Sequence, residues 1–116
     1  MTYEHEARGD IHVFTLKKDL TGGDETTQIE NALQAIISPG SPKIVIDLGR
    51  ISYLNSAGLG SLVTQHTSAT NKGGWIRLAR INKRIKSLFL VTKLTFVFDT
   101  YDSVEEAIDG KNKADA

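Results

Sequence analysis

Cysteine is absent from these 116 residues, and only two prolines and seven per cent aromatic residues are present. The missing thiols exclude disulfides and thiolate metal sites, and they fit a reducing compartment. No apolar run approaches the roughly 20 residues needed to cross a bilayer, so no membrane insertion is expected. The N-terminal run Met1-Thr2-Tyr3-Glu4-His5-Glu6 is acidic and lacks the basic segment and apolar stretch of a secretory signal, which points to a cytoplasmic protein. Net charge is absent too, since 14 bases balance 14 acids.

The balance conceals a local absence. Residues 1–47 carry eight acids and four bases, 99–116 carry six acids and two bases, and 48–98 carry eight bases and no acid. Either the fold interleaves these blocks into a mixed surface, or the middle one forms a basic face for an acidic partner, a phosphate or anionic lipid. An apolar fraction of 40% and a charged fraction of 24% are those of a globular chain, and the length suits one domain.

Hydrophobic spacing divides the chain into alternating strands and helices. Tyr3, His5 and Ala7 alternate with charged residues, and beyond Gly9-Asp10 the run Ile11 to Leu16 completes a hairpin. Ile29, Ala32, Leu33, Ile36 and Ile37 trace an amphipathic helix, which Asp24 is placed to cap and Ser38-Pro39-Gly40 to stop. Ile44-Val45-Ile46 suits a short strand covered on both faces. From Ser56 the spacing is helical through Leu59, Leu62, Val63 and His66, until Asn71-Lys72-Gly73-Gly74. Trp75 to Ala79 reads as a strand, Asn82 to Val91 as a helix and Phe96 to Phe98 as a last strand. Ser103-Val104-Glu105-Glu106 has the form of a capping box opening a final helix. The expected architecture is α/β: a mixed sheet of about five strands, an antiparallel opening hairpin followed by parallel strands, with about four helices.

Chemistry is sparse. Gly58-Leu59-Gly60 lacks the third glycine of a dinucleotide fingerprint, and no Gly-Lys-Ser/Thr phosphate loop occurs. Leu54 stands where a nucleophile elbow needs glycine. His5, His12 and His66 form no metal spacing, and His66 reads as a core or boundary residue. Asp47, ending a buried strand, is suited to fixing the next turn. The cations Arg77, Arg80, Lys83, Arg84, Lys86 and Lys93 are not interleaved with exposed aromatics, so direct nucleic-acid binding is not expected. These exclusions argue against an enzyme and call for no cofactor. What remains is the segment from Asp47 to Gly60, running from a strand end through a loop into a helix, where open α/β sheets meet ligands and partners. Ser56 is suited to cap that helix, a role that many serines fill with no further function. Gly58 and Gly60 strip side chains from its first turn, so Gly58→Val is expected to harm partner binding more than folding.

The run Ile44-Val45-Ile46-Asp47-Leu48, followed by Ile51-Ser52-Tyr53-Leu54-Asn55-Ser56-Ala57-Gly58-Leu59-Gly60-Ser61-Leu62, resembles the signature of STAS domains, especially bacterial anti-sigma factor antagonists. The likeness extends through Gly73-Gly74, Ile85-Lys86-Ser87-Leu88-Phe89 and the acidic close. It implies a STAS domain over 1–110 with a flexible polar tail at 111–116. It further implies partner switching: an anti-sigma factor with serine kinase activity is bound while Ser56 is unphosphorylated and released once Ser56 is phosphorylated, and a metal-dependent serine phosphatase restores binding. The family's acidic residue before the serine is Asn55 here, the following Ser or Thr is Ala57, and its Gly-Glu-Leu-Asp loop is Lys18-Asp19-Leu20-Thr21. By this resemblance the partner surface comprises Asp19, Thr21, Asn55, Ser56, Ala57, Gly58, Leu59 and Gly60. The family also suggests an alternative, a STAS subunit of a lipid-transport ABC system that docks on its ATPase without a phosphorylation cycle.

Overall fold

Strand order in the sheet is chain order, β1-β2-β3-β4-β5, in a computed structural model that describes residues 2–114. β1 (Tyr3–Arg8) and β2 (Ile11–Leu16) form the antiparallel hairpin. β3 (Lys43–Asp47), β4 (Trp75–Ala79) and β5 (Thr100–Tyr101) then add parallel to β2 in turn. The crossovers are α1 (Asp24–Ile37), α2 (Ser56–Asn71) and α3 (Lys83–Val91), and α4 (Val104–Asp109) follows the last strand.

Alternation along β3 explains the two layers. Ile44 and Ile46 enter the main core with Phe14 of β2, Leu33 of α1, Leu62 of α2 and Phe89 of α3. Val45 faces the other way, into a smaller cluster with Val13, Ala79, Tyr101 and Ala107 of α4. The apolar triplet is therefore covered on both faces, as its lack of alternation requires.

Ser103 caps α4 as its sequence promises: its hydroxyl accepts the Glu106 N–H at 3.1 Å and donates to the Glu106 carboxylate at 3.0 Å. Three local expectations are corrected. Gly23, not Asp24, is the cap residue of α1, and it offers no side-chain cap bond. Asp24 and Glu25 instead occupy the first turn, where negative charge favours the helix dipole. The last strand is Thr100–Tyr101 rather than Phe96–Phe98. α3 ends at Val91, Lys93 takes the left-handed conformation, and Leu94–Phe96 coil into a 3-10 turn that packs Leu94 against the core and leads to buried Phe98, 5.7 Å from the Phe89 ring centre. Aromatic and β-branched composition suggests a strand there; the turn and its exit instead anchor Leu94 and Phe98 and leave Phe96 and Val97 outside. Past α4, Lys113 makes an antiparallel bridge to Tyr101, and Ala114 N donates to Thr100 O at 2.8 Å. Residues 115–116 of the expected tail lie outside the described residues. The third correction falls at the start of α2, in the site itself.

Candidate functional site

α2 is capped by Asn55, not Ser56. The Asn55 carboxamide oxygen accepts the Gly58 N–H at 2.9 Å, its Nδ2 donates to Thr21 O at 3.0 Å, and its own N–H donates to Leu20 O at 3.1 Å. Asparagine and serine cap equally well, but the longer carboxamide accepts from the helix through its oxygen while its separate nitrogen reaches a second loop. Ser56 becomes the first residue of the helix. It is exposed, and its hydroxyl enters no side-chain hydrogen bond among the described residues.

The loop after β2 is held against this turn by several bonds. Leu20 and Leu54 form a parallel bridge, and Asp19 Oδ1 accepts the N–H groups of Ser52 at 2.9 Å and Tyr53 at 3.3 Å. Asp19 and Thr21 thus lie beside Asn55–Gly60, as one cluster, with Asp19 and Asn55 serving as braces between the loops. Ser56, Ala57 and Gly60 are exposed, whereas Gly58 and Leu59 are buried.

Gly58 overturns its expected role. A Cβ there would overlap the Leu20 carbonyl group, so the missing side chain admits the chain's own backbone rather than an outside surface. Nothing lies within 4 Å of a Cβ built at Gly60, which is the open glycine of the pair.

Two further contacts set the platform. Asp47, with only 6% of its side chain exposed, receives a bidentate pair from Arg80, Nε to Oδ1 and Nη2 to Oδ2 each at 2.8 Å, while Oδ1 also accepts Gly49 N at 2.9 Å. The carboxylate therefore fixes the turn, as expected, and it raises the Arg80 guanidinium pKa through hydrogen bonding and charge. Asn82 caps α3 through Ile85 N at 2.8 Å and donates back to Ile51 O and Ser52 O, joining α3 to the loop before Ser56.

Between the start of α2 and α3 lies a groove of about 400 Å³ that the sequence did not disclose. Tyr53, Ser56, Leu59, Arg84, Leu88 and Val91 line it, and the Arg84 guanidinium stands 5.2 Å from the Tyr53 ring centre. Tyr53 and Val91 are exposed large apolar residues. The available signal was Leu90-Val91, which continues α3 off the stripe set by Ile85, Leu88 and Phe89. His66 lies ten residues along α2 from Ser56, with its ring 4.8 Å from that of Phe98. Burial lowers its pKa, more than the Asp99 charge and a backbone bond near Ile76 raise it. Among the described residues no group of three or more His, Asp or Glu could hold a metal, and no helix is long and apolar enough to cross a membrane.

A family model described as STAS domain matches residues 2–107. At the sequence level, 80 residues are 28% identical to BtrV of Bordetella bronchiseptica, whose name gives anti-sigma factor antagonist as a provisional description, over 69% of each chain. The fold is similar to an anti-sigma factor antagonist from Mycobacterium paratuberculosis, with a TM-score of 0.79 and 21% identity over 94% of this chain and 92% of that one. It is also similar to the antagonist SpoIIAA in its unphosphorylated form, with a TM-score of 0.73 and 20% identity over 93% and 96%.

Proposed function

The chain belongs to the STAS domain family, and from that premise we propose that it is a cytoplasmic anti-sigma factor antagonist, not an enzyme, that works by partner switching at Ser56. The observation that carries this reading is the division of labour at the start of α2. Asn55 takes the capping duty, which leaves Ser56 exposed at the mouth of an apolar groove with its hydroxyl uncommitted. The names of the relatives supply the partner class, an anti-sigma factor. In this reading the anti-sigma factor is itself the serine kinase, and a metal-dependent phosphatase reverses the modification.

The switch follows from charge. A phosphoserine adds about −1.5 to −2 charge at neutral pH, and at the first position of α2 that charge is favoured by the helix dipole. Asn55, being neutral, adds no repulsion. A partner seated over Ser56 and the groove would have to bury the phosphate without a counter-ion, at a cost of several kcal/mol, on the order of a thousandfold or more in affinity. Phosphorylation accordingly releases the partner and leaves the fold intact.

The test is calorimetric titration of wild type, Ser56→Ala and Ser56→Asp against the anti-sigma factor captured from the native host, with circular dichroism as the folding control. Ser56→Ala is expected to bind as wild type does and Ser56→Asp to lose binding while folded. Equal affinity of all three would reduce Ser56 to an ordinary helix residue.

A further inference from the structure

Five large apolar residues are exposed among the described residues: Tyr53, Leu90, Val91, Phe96 and Val97. Four of them fall in the eight residues from Leu90 to Val97, where α3 ends and the 3-10 turn begins. Phe96 is 87% exposed and Val91 81% exposed. The groove accounts for Tyr53 and Val91 but is not lined by Leu90, Phe96 or Val97.

The charge along this segment of the chain has one sign. Lys83, Arg84, Lys86 and Lys93 lie along the same segment, none of them joins a salt bridge among the described residues, and no acid occurs from residue 48 to 98. The first acid beyond it, Asp99, is paired with Lys113 at 3.0 Å. A patch this apolar needs a cover, and one this basic needs that cover to be anionic.

We propose that the end of α3 and the 3-10 turn form an interfacial patch that adsorbs to the surface of an anionic lipid bilayer, with Phe96 and its apolar neighbours entering the headgroup boundary and the lysines facing the headgroups. Shape favours this occupant over an acidic protein. Phe96 protrudes from a tight turn with almost its whole surface free, a knob that can enter a fluid interface without a matching cavity. Aromatic tips ringed by lysine are the composition that binds there. Val91 and Arg84 border both the patch and the groove that holds Ser56, but Phe96 stands outside the groove, so a Phe96 variant tests the patch apart from the Ser56 reading.

Co-sedimentation of the full chain with vesicles decides the matter. The protein is expected to pellet with phosphatidylcholine vesicles that contain phosphatidylglycerol and not with phosphatidylcholine alone. Phe96→Ser should lower the partition coefficient by about tenfold or more, as loss of a buried aromatic predicts. Lys86→Gln with Lys93→Gln should lower it by about fivefold per lysine and flatten its salt dependence. Phe96→Ser should melt as the wild type does, because the ring supports nothing inside. The proposal is overturned if the anionic vesicles pellet no protein, or if they pellet wild type and Phe96→Ser alike. It is overturned equally if, without lipid binding, Phe96→Ser shifts the sedimentation coefficient, which would assign the patch to a second copy, or abolishes capture of the anti-sigma factor, which would assign it to an acidic protein.

Discussion

Gly58 and Gly60 sit two positions apart in one helical turn and face opposite physical demands. At Gly58 an added methyl meets the Leu20 carbonyl group, which the Leu20–Leu54 bridge and the Asn55 N–H hold in place. Gly58→Ala should therefore destabilise the domain by about 2 kcal/mol, an overpacking cost that outweighs the gain in helix propensity. Gly60→Ala meets open space and should stabilise by about 0.5–1 kcal/mol, through the unfolded chain and the helix. Urea denaturation of the two variants checks both signs. The same reasoning moves the surface probe from Gly58 to Gly60: a bulky residue at Gly60 can obstruct a partner without disturbing the Leu20 loop. Asn55→Ala should cost about 1 kcal/mol for the lost cap. Asn55→Asp should recover most of that, while still lacking the donor that reaches Thr21 O.

At the scale of elements, the clamp between the ends of β3 and β4 can be tested alone. Asp47 is buried and bonded to Arg80 and to Gly49 N, so Arg80→Ala leaves a buried carboxylate with one backbone partner. A loss of about 2 kcal/mol is expected, moderated by the solvent that reaches the arginine. Arg80→Lys should recover only part, because an ammonium cannot match both oxygens. Thermal melts of the pair decide it. These elements also show what a sequence can disclose. The α1 stripe, the doubly covered β3 and the Ser103 box were legible because periodicity and caps are local signals. In the sequence Arg80 is only one cation among six, because its partner lies 33 positions away and spacing carries no trace of such a pair. The exchange of Ser56 for Asn55 as the cap has a similar source. Two good cap residues stand side by side, and the choice between them is made by Thr21 in another loop. The groove beside Ser56 leaves only the off-stripe Leu90-Val91 as a trace in the sequence, being walled by two helices that meet only after folding.

For the whole molecule, pH enters through histidine. Burial holds the His66 imidazole below its ordinary value, and its Nδ1 is buried with no hydrogen-bond partner among the described residues. Burial and the neighbouring His12 lower His5 in the same sense. A histidine with a depressed folded pKa binds fewer protons folded than unfolded, so stability is full above the unfolded value near 6.5 and falls as pH drops below it. His66→Leu should shrink that fall and, by removing an unpaired polar atom, raise stability at neutral pH by about 1 kcal/mol. His5 leaves a residual slope. Denaturant melts at a series of pH values measure both effects, and an unchanged slope would mean that His66 carries none of it.

The agreement between strand order and chain order has a consequence for how the protein is made. Each strand after the first pairs with the one synthesised just before it, so it finds an edge already made when it leaves the ribosome. The sheet can be laid down from the N-terminus one strand at a time, each crossover helix closing over apolar surface as it emerges. The tip carrying Phe96 then arrives late, on a scaffold already formed beneath it.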